Sequence, residues 1–241
     1  MTGLVLLHGA AATPRIYRLV ARLLAAAHPG LRVEVPQRPC SGDLDREIAA
    51  VAGVCENNFV AGVSGGATLA LGLALAGVPT AGILAHEPAV GRLAPGLLRP
   101  ALDALAEHGP EAFGSHLYGP AWTPEELPAE AGSVYRDVAM FAGFDIPEAA
   151  DLRQVHVSLG ARSGRARHNA AAALHQASGA PVRLVPGVAH AWMLEDPVSL
   201  AITLTGLMNL NWHDGPILAT DASESSCLVP PHPPLGPTAD R

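Results

Sequence analysis

One serine in this sequence stands where a nucleophile would be positioned. Ser64 lies in the run Gly-Val-Ser-Gly-Gly (62–66), after an apolar segment typical of a strand and before a segment typical of a helix. A strand that turns sharply into a helix can hold a serine in a strained backbone conformation, with its hydroxyl exposed above the sheet. The neighbouring residues must be small because the tight turn brings their backbones against other elements. A bare Gly-x-Ser-x-Gly would be only a small-residue turn, but this context predicts a nucleophile.

Two backbone amides are expected to face an oxygen that becomes negatively charged beside Ser64. The helix that begins after Ser64 has free N–H groups at its start, so the amide of Gly65 is one predicted donor. The first apolar run ends in His8-Gly9-Ala10, where small residues allow a close backbone approach, and the amide of Ala10 is the second predicted donor. Two such donors form an oxyanion hole for acyl transfer. His8 itself is expected to hydrogen-bond the loop backbone, without a part in the chemistry.

Among the eleven histidines, His190 alone lies where a general base is needed. It follows a strand-like run (182–185) and precedes a helix, so a loop at the carboxyl edge of the sheet could carry it to Ser64. The alternative is a loop histidine without a role. His168 and His175 are seven residues apart on one predicted helix, which is too far for a one-turn metal pair, and we expect both at the surface.

The elements that must position these residues alternate between short apolar strands and helices. We predict strands at 4–7, 31–35, 58–63, 80–85, 155–159 and 182–185. We predict helices from the cap Thr13, at 43–54, 65–76 and 165–178, and from the cap Asp196 to about residue 210. Such alternation implies parallel strands joined by right-handed crossovers.

The alternation lapses between residues 89 and 147, where Pro and Gly separate helical pieces. One predicted helix begins at Thr123, with Glu126 reaching back to complete a capping box, and another covers 133–144. We interpret 89–147 as an inserted helical lid on a core formed by 1–88 and 148–210. Residues 211–241 lack periodicity and are rich in Pro, which predicts a flexible tail.

The composition limits the classes of function. With 49% hydrophobic and only 15% charged residues, the 241-residue chain can bury a substantial core. Its formal net charge of −7 argues against a nucleic-acid partner. Cys40, Cys55 and Cys227 show neither metal-site spacing nor a paired framework. The amino terminus lacks the basic region of a signal peptide and no apolar run reaches the length of a membrane span, so we expect a cytoplasmic protein without a membrane partner.

The serine turn, the His-Gly after the first strand and the late loop histidine together resemble the α/β-hydrolase family. They occur in that family's order, and the resemblance covers about residues 4–210. It implies an α/β fold with a mostly parallel six-stranded sheet flanked by helices. It also implies a serine esterase that cleaves an ester, lactone or thioester of a small molecule through an acyl-enzyme on Ser64, with no metal and no cofactor.

The resemblance further implies an acid that orients His190 to complete a catalytic triad. Most family members carry it after the strand that follows the lid, but here that loop (160–165) has no carboxylate. A minority place it one strand earlier, where this chain has Glu87. We therefore predict Glu87 as the acid, and the alternative is a loop residue that anchors the lid.

Other carboxylates are weaker candidates for the acid. Asp145 and Asp151 do not lie at the end of a core strand, and Glu195 and Asp196 are expected to serve the start of the last helix.

Two alternative functions remain open at this point. Because the usual loop lacks an acid, a non-catalytic protein that binds a small ligand is one alternative, since fold alone does not give function. Hydrolysis of a carbon–carbon bond, or acyl transfer to an acceptor other than water, would use the same three residues. Substrate choice is expected to lie in the lid. Its large side chains are Tyr118, Trp122, Tyr135, Met140, Phe141 and Phe144, and the alternative for most of them is that they simply pack the lid onto the core.

Overall fold

Six parallel strands form one sheet in the computed structural model, which describes residues 3–130 and 132–209. The strands are β1 (Leu4–Leu7), β2 (Val33–Glu34), β3 (Phe59–Val63), β4 (Gly82–His86), β5 (Val155–Gly160) and β6 (Val182–Val185). They lie in the order β2-β1-β3-β4-β5-β6, and each neighbouring pair is parallel. The predicted α/β class and parallel sheet are confirmed.

The strand order places the ends of β1 and β3 side by side. The chain runs from β1 to β2 at one edge, then crosses back to β3 and continues toward the other edge. Leu7 is in register with Gly62, so the loops after these two strands leave the sheet together. In open α/β sheets, ligands bind at such a reversal, beyond the carboxyl ends of the strands.

Helices flank the sheet and cover its carboxyl edge. They are α1 (Arg18–Ala27), α2 (Leu44–Cys55), α3 (Gly65–Leu75), α4 (Arg99–Tyr118), α5 (Gly132–Gly143), α6 (Arg165–Ser178), α7 (Trp192–Glu195) and α8 (Pro197–Asn209). Helix α1 packs against α8, and α2 packs against α3. All residues of β1 and β3 are buried, as their continuous apolar sequences predicted for strands covered on both faces.

Three predicted elements differ most from the structure, and several other element ends are shifted by one or two residues. The second strand is only Val33–Glu34, because this half-buried edge segment pairs with β1 alone. The helix expected from Thr13 begins as a 3₁₀ turn (Pro14–Tyr17), and the regular helix starts at Arg18. The predicted capping box at Thr123 is wrong, since only a 3₁₀ turn (Pro124–Glu126) forms and Thr123 makes no side-chain cap. Leu127 adopts an extended conformation before Pro128, which prevents a further helical turn.

The 89–147 segment folds as a 3₁₀ turn (Gly91–Leu93), α4, the turn at Pro124–Glu126, and α5. Helix α4 bends where Gly109 takes a φ of 82° before Pro110. This segment buries Phe113, Tyr118, Trp122 and Phe141 in the same apolar core as the strands. Its role as a lid stays a prediction, and the predicted tail lies outside the described residues. Within the described ranges, every helix is too short or too polar to cross a bilayer.

Candidate active site

Ser64 occupies a strained turn between β3 and α3. Its backbone has φ 59° and ψ −125°, a conformation that a non-glycine residue rarely adopts. The turn is held by the Ser64 N–H, which donates to the carbonyl of His86 at 2.9 Å. A side chain at Gly66 would overlap the Leu7 carbonyl oxygen, and one at Gly62 would overlap the backbone of Gly66. The small residues expected around the serine are thus required by backbone contacts.

The loop after β1 comes close to Gly65, the residue that follows the serine. A Cβ atom built on Gly9 would lie 2.9 Å from the amide nitrogen of Gly65, so the loop after β1 contacts the first residue of α3. Neither the Ala10 nor the Gly65 amide meets a hydrogen-bond acceptor in the part of the chain that the structure describes. Both amides are therefore free to bind an anionic oxygen, although their assignment as an oxyanion hole stays a prediction.

A buried arginine, Arg38, holds the loop after β1 by hydrogen bonds to its backbone. Arg38 donates from Nε to the carbonyl of His8 at 3.0 Å and from Nη2 to the carbonyl of Gly9 at 3.2 Å. His8 is fully buried, and its Nδ1 lies 3.3 Å from the Gly9 carbonyl, in keeping with the loop-bonding role expected for it. Burial and the nearby Arg38 charge lower the pKa of His8 to about 3, so this imidazole is neutral.

The structure brings His190 and Glu87 together. His190 Nδ1 lies 2.9 Å from Glu87 Oε2, and both residues are buried. Glu87 immediately follows β4, and His190 is in the loop after β6. The other candidates for the acid do not reach the histidine: Asp145 pairs with Arg92, and Asp151 pairs with Arg153 at the surface.

The loop that was expected to carry the acid supports Glu87 instead. Glu87 Oε1 accepts a hydrogen bond from the amide of Gly160 at 2.9 Å and another from the hydroxyl of Ser163. Burial alone would raise the pKa of Glu87. The hydrogen bond and charge of His190, together with His86 and Arg167, outweigh burial and hold that pKa well below its usual range. The carboxylate of Glu87 is therefore charged near neutral pH.

Arg167 is a residue of the candidate site that the sequence did not predict. Its Nε lies 3.1 Å from Glu87 Oε2, its Nη1 donates to the Glu87 carbonyl at 3.2 Å, and its Nη2 lies 3.3 Å from His190 Nε2. Burial and the Arg167 charge lower the pKa of His190 to about 4, against the opposing effect of Glu87. A basic residue in the first turn of α6, where the helix dipole disfavours a cation, was the available sequence signal.

The loop of His190 is held from both sides. Glu195 accepts hydrogen bonds from the amides of Ala189 at 2.8 Å and Ala191 at 3.0 Å. His86 Nε2 lies 3.0 Å from the Ala189 carbonyl. The expectation that Glu195 serves the last helix is therefore wrong, because its carboxylate turns back to the histidine loop. Asp196 does serve that helix, since its Oδ1 accepts from the Ser199 amide at 2.9 Å.

The nucleophile and the histidine each face another residue in this structure. His190 Nε2 is beside Arg167, and the Ser64 hydroxyl lies beside the hydroxyl of Tyr118, the last residue of α4. The Tyr118 and His190 rings are nearly parallel, at 16°, with centroids 6.1 Å apart. Hydrogen bonds between nucleophile and base are often absent without substrate and form in the complex.

Comparison with solved structures identifies the fold. No family model and no curated protein sequence matches the chain. Its structure is similar to that of a lipase-esterase related protein from Clostridium acetobutylicum, with 12% identity, a TM-score of 0.65, and coverage of 85% of this chain and 93% of that one. It is also similar to a thermophilic esterase from Thermogutta terrifontis, with 14% identity, a TM-score of 0.62 and coverage of 86% and 89%.

A third similar structure is MenH from S. aureus, with 14% identity, a TM-score of 0.63 and coverage of 86% and 93%. At such low identities the likeness concerns the fold, and the roles of individual side chains depend on the geometry described above. The strand order, the strained serine turn and these structural neighbours agree, and the chain has the α/β-hydrolase fold.

Proposed function

We propose that the chain is a serine hydrolase that cleaves an ester, lactone or thioester through an acyl-enzyme on Ser64. The observation that carries this proposal is a buried His190–Glu87 pair in the loops after β6 and β4, at the edge of the sheet where β3 ends in the Ser64 turn with φ 59°. A strained serine turn, a histidine and a buried carboxylate are the parts that nucleophilic acyl transfer needs. The esterases among the structural neighbours support the same class of chemistry.

The proposed reaction starts from a neutral histidine. Glu87 accepts the hydrogen bond from His190 Nδ1–H, which leaves the lone pair on Nε2 to take the proton of Ser64 Oγ. The serine oxygen attacks the carbonyl carbon, and the carbonyl oxygen becomes an oxyanion between the amides of Ala10 and Gly65. The imidazolium then protonates the leaving group, and a water molecule activated by His190 releases the acid.

Because His190 Nε2 faces Arg167 in the resting structure, the imidazole or the guanidinium must shift slightly before the proton transfer. Glu87 stabilises the imidazolium that forms, since its carboxylate remains charged.

A pocket that shares Phe141 with the surroundings of the serine turn indicates an apolar group on the substrate. It has a volume of about 410 Å³, within the size range of small-molecule sites. Its apolar lining includes Ala89, Val90, Leu97, Leu98, Leu102 and Phe141. Phe141 also packs directly on Gly65, so one aromatic ring separates the pocket from the serine turn. We propose that this ring moves when substrate binds and that the pocket holds a medium-length apolar acyl chain.

The test combines covalent labelling with turnover. A fluorophosphonate probe should modify the wild-type protein at Ser64, and p-nitrophenyl esters should be hydrolysed, with medium-length acyl chains preferred over acetate. Ser64→Ala should lose labelling and about 10⁴-fold or more in turnover. Ser115→Ala, which removes an exposed serine from α4, is the control and should behave as wild type. Failure of the wild-type protein to label or to hydrolyse any ester would favour a ligand-binding role on the same fold.

A further inference from the structure

We propose that Tyr118 is a further catalytic residue, whose hydroxyl donates a third hydrogen bond to the oxyanion. This proposal depends on the proposed hydrolase function and adds to it a side chain from outside the sheet. Tyr118 ends α4, in the segment that the sequence predicts to be a lid. Neither its place in the chain nor its spacing distinguishes Tyr118, but the position of its hydroxyl in the structure does.

The hydroxyl of Tyr118 lies between the parts of the proposed oxyanion hole. It donates to the carbonyl oxygen of Ala10 at 2.8 Å. A Cβ atom built on Gly9 would be 2.9 Å from this hydroxyl and also 2.9 Å from the amide nitrogen of Gly65. The same hydroxyl lies beside that of Ser64. It therefore adjoins the nucleophile and the backbone of both proposed donors, where the carbonyl oxygen of a bound ester must lie.

The chemistry of the hydroxyl suits donation to an anion. The Tyr118 side chain is only 2% exposed, and burial raises the pKa of its hydroxyl well above the ordinary value, so the proton stays in place. Rotation about the C–O bond can turn this proton from the Ala10 carbonyl to a nearby oxyanion without movement of the ring. A donor that binds the charged oxygen more strongly than the neutral carbonyl lowers the barrier to reaction.

A neighbouring side chain provides a control for a merely structural role. Trp122 Nε1 donates to the carbonyl of Ala11 at 3.0 Å, one residue further along the same loop. Both Tyr118 and Trp122 thus attach the 89–147 segment to the loop after β1, but only Tyr118 adjoins Ser64. If the loop attachment alone mattered, loss of either hydrogen bond would have a similar effect.

The test compares Tyr118→Phe with Trp122→Phe, using a p-nitrophenyl ester that the wild-type protein hydrolyses. Tyr118→Phe keeps the ring and should lower kcat by about 10²-fold, with KM changed less than about threefold, because the lost donor acts in the transition state. Trp122→Phe should change kcat by less than about fivefold. Affinity for a trifluoromethyl ketone, which forms a charged adduct on the serine, should fall in Tyr118→Phe in parallel with kcat/KM.

The possible failures are distinguishable. If wild-type protein neither labels with a fluorophosphonate nor cleaves esters, the proposed function fails. If wild-type protein is active and Tyr118→Phe has an unchanged or higher kcat, Tyr118 is not catalytic. Equal losses in Tyr118→Phe and Trp122→Phe would likewise overturn the proposal, since they would assign Tyr118 to loop attachment. Circular dichroism and thermal unfolding would verify that both variants remain folded.

Discussion

Arg167 and His190 share one carboxylate. Glu87 Oε2 lies 2.9 Å from His190 Nδ1 and 3.1 Å from Arg167 Nε, while Arg167 also approaches His190 Nε2. A cation so close to the imidazole opposes its protonation, whereas the carboxylate favours it. Burial and the Arg167 charge prevail, which is why the pKa of His190 is lowered to about 4. His190, the proposed base, is therefore already neutral at pH 6.

We expect Arg167→Met to move the acid limb of the kcat/KM profile to higher pH. Activity requires neutral His190, so the wild-type limb should have its midpoint near pH 4. Removal of the cation eliminates its repulsion of the imidazolium and raises the pKa of His190. The midpoint should therefore rise by about one pH unit or more, whatever happens to the maximal rate. Arg165→Met, on the exposed face of the same turn, should leave the midpoint in place. An unchanged midpoint in Arg167→Met would contradict this account.

At the scale of single residues, the sequence predicted what local motifs encode. Ser64 was predictable because the small residues around it are required by its own turn, and His190 because a loop after a strand leads to the sheet edge. Glu87 was proposed from the family resemblance, because a minority of that family carries the acid after this strand. Arg167 and Tyr118 were not, since their positions beside His190 and Ser64 depend on how α6 and α4 pack, which no local pattern encodes.

Two close backbone approaches determine the turn between β3 and α3. Gly66 lies against the Leu7 carbonyl at the end of β1, and Gly62 lies against the backbone of Gly66. Neither glycine has a positive φ, so the requirement is for space and not for backbone freedom. The element that carries Ser64 is thus locked to the neighbouring strand by the absence of side chains.

Gly66→Ala should therefore destabilise the protein, whereas Gly53→Ala should not. The added methyl at position 66 would overlap the Leu7 carbonyl, which forces α3 or β1 to move and should cost about 3 kcal/mol of unfolding free energy. Gly53 lies on the exposed side of α2 with nothing near its Cβ position, and alanine there should add up to about 1 kcal/mol. Urea unfolding of both variants gives the comparison. Equal stability of the two would show that the turn can adjust.

Elements with a clear local pattern were the most predictable from sequence. Continuous apolar runs identified β1 and β3, and the boundaries of α6 and β6 were predicted as observed. Predictions failed where a local signal competed with its surroundings. The Thr123 signal for a helix start was overruled by Pro128, and the apolar run at 31–35 supplied only two paired residues at the sheet edge.

On the scale of the whole molecule, one buried arginine connects three parts of the chain. Arg38 binds Glu47 of α2 at 2.7 Å and Asp137 of α5 at 2.6 Å, in addition to the carbonyls of the loop after β1. All three charged side chains are almost inaccessible to solvent. Helix α5 also carries Phe141 to Gly65, so the ion cluster and the proposed substrate pocket are attached to the same helix.

The ion cluster of Arg38, Glu47 and Asp137 contains more acidic than basic side chains. One arginine faces two carboxylates, and a buried oxygen of Asp137 has no hydrogen-bond partner among the described residues. Burial raises the pKa of Asp137 in spite of Arg38, and Glu47 adds to the rise. The loop after β1 and helix α5 are therefore held together by a cation whose loss would leave negative charge in the core.

Arg38→Met should consequently lower the unfolding free energy by about 3–5 kcal/mol near neutral pH. The isolated carboxylates would then fold most easily in their protonated forms. The folded state would bind protons that the unfolded state releases, so stability should rise as the pH falls toward 5, and the deficit relative to wild type should shrink.

Adding Glu47→Gln and Asp137→Asn to Arg38→Met should restore much of the loss at neutral pH. Arg99→Met, which breaks an exposed ion pair with Asp103, should cost less than about 1 kcal/mol. Urea unfolding at pH 5 and 7.5 gives the unfolding free energies of the wild type and the three variants. If Arg38→Met loses no more unfolding free energy than Arg99→Met, the cluster does not hold the loop after β1, α2 and α5 together.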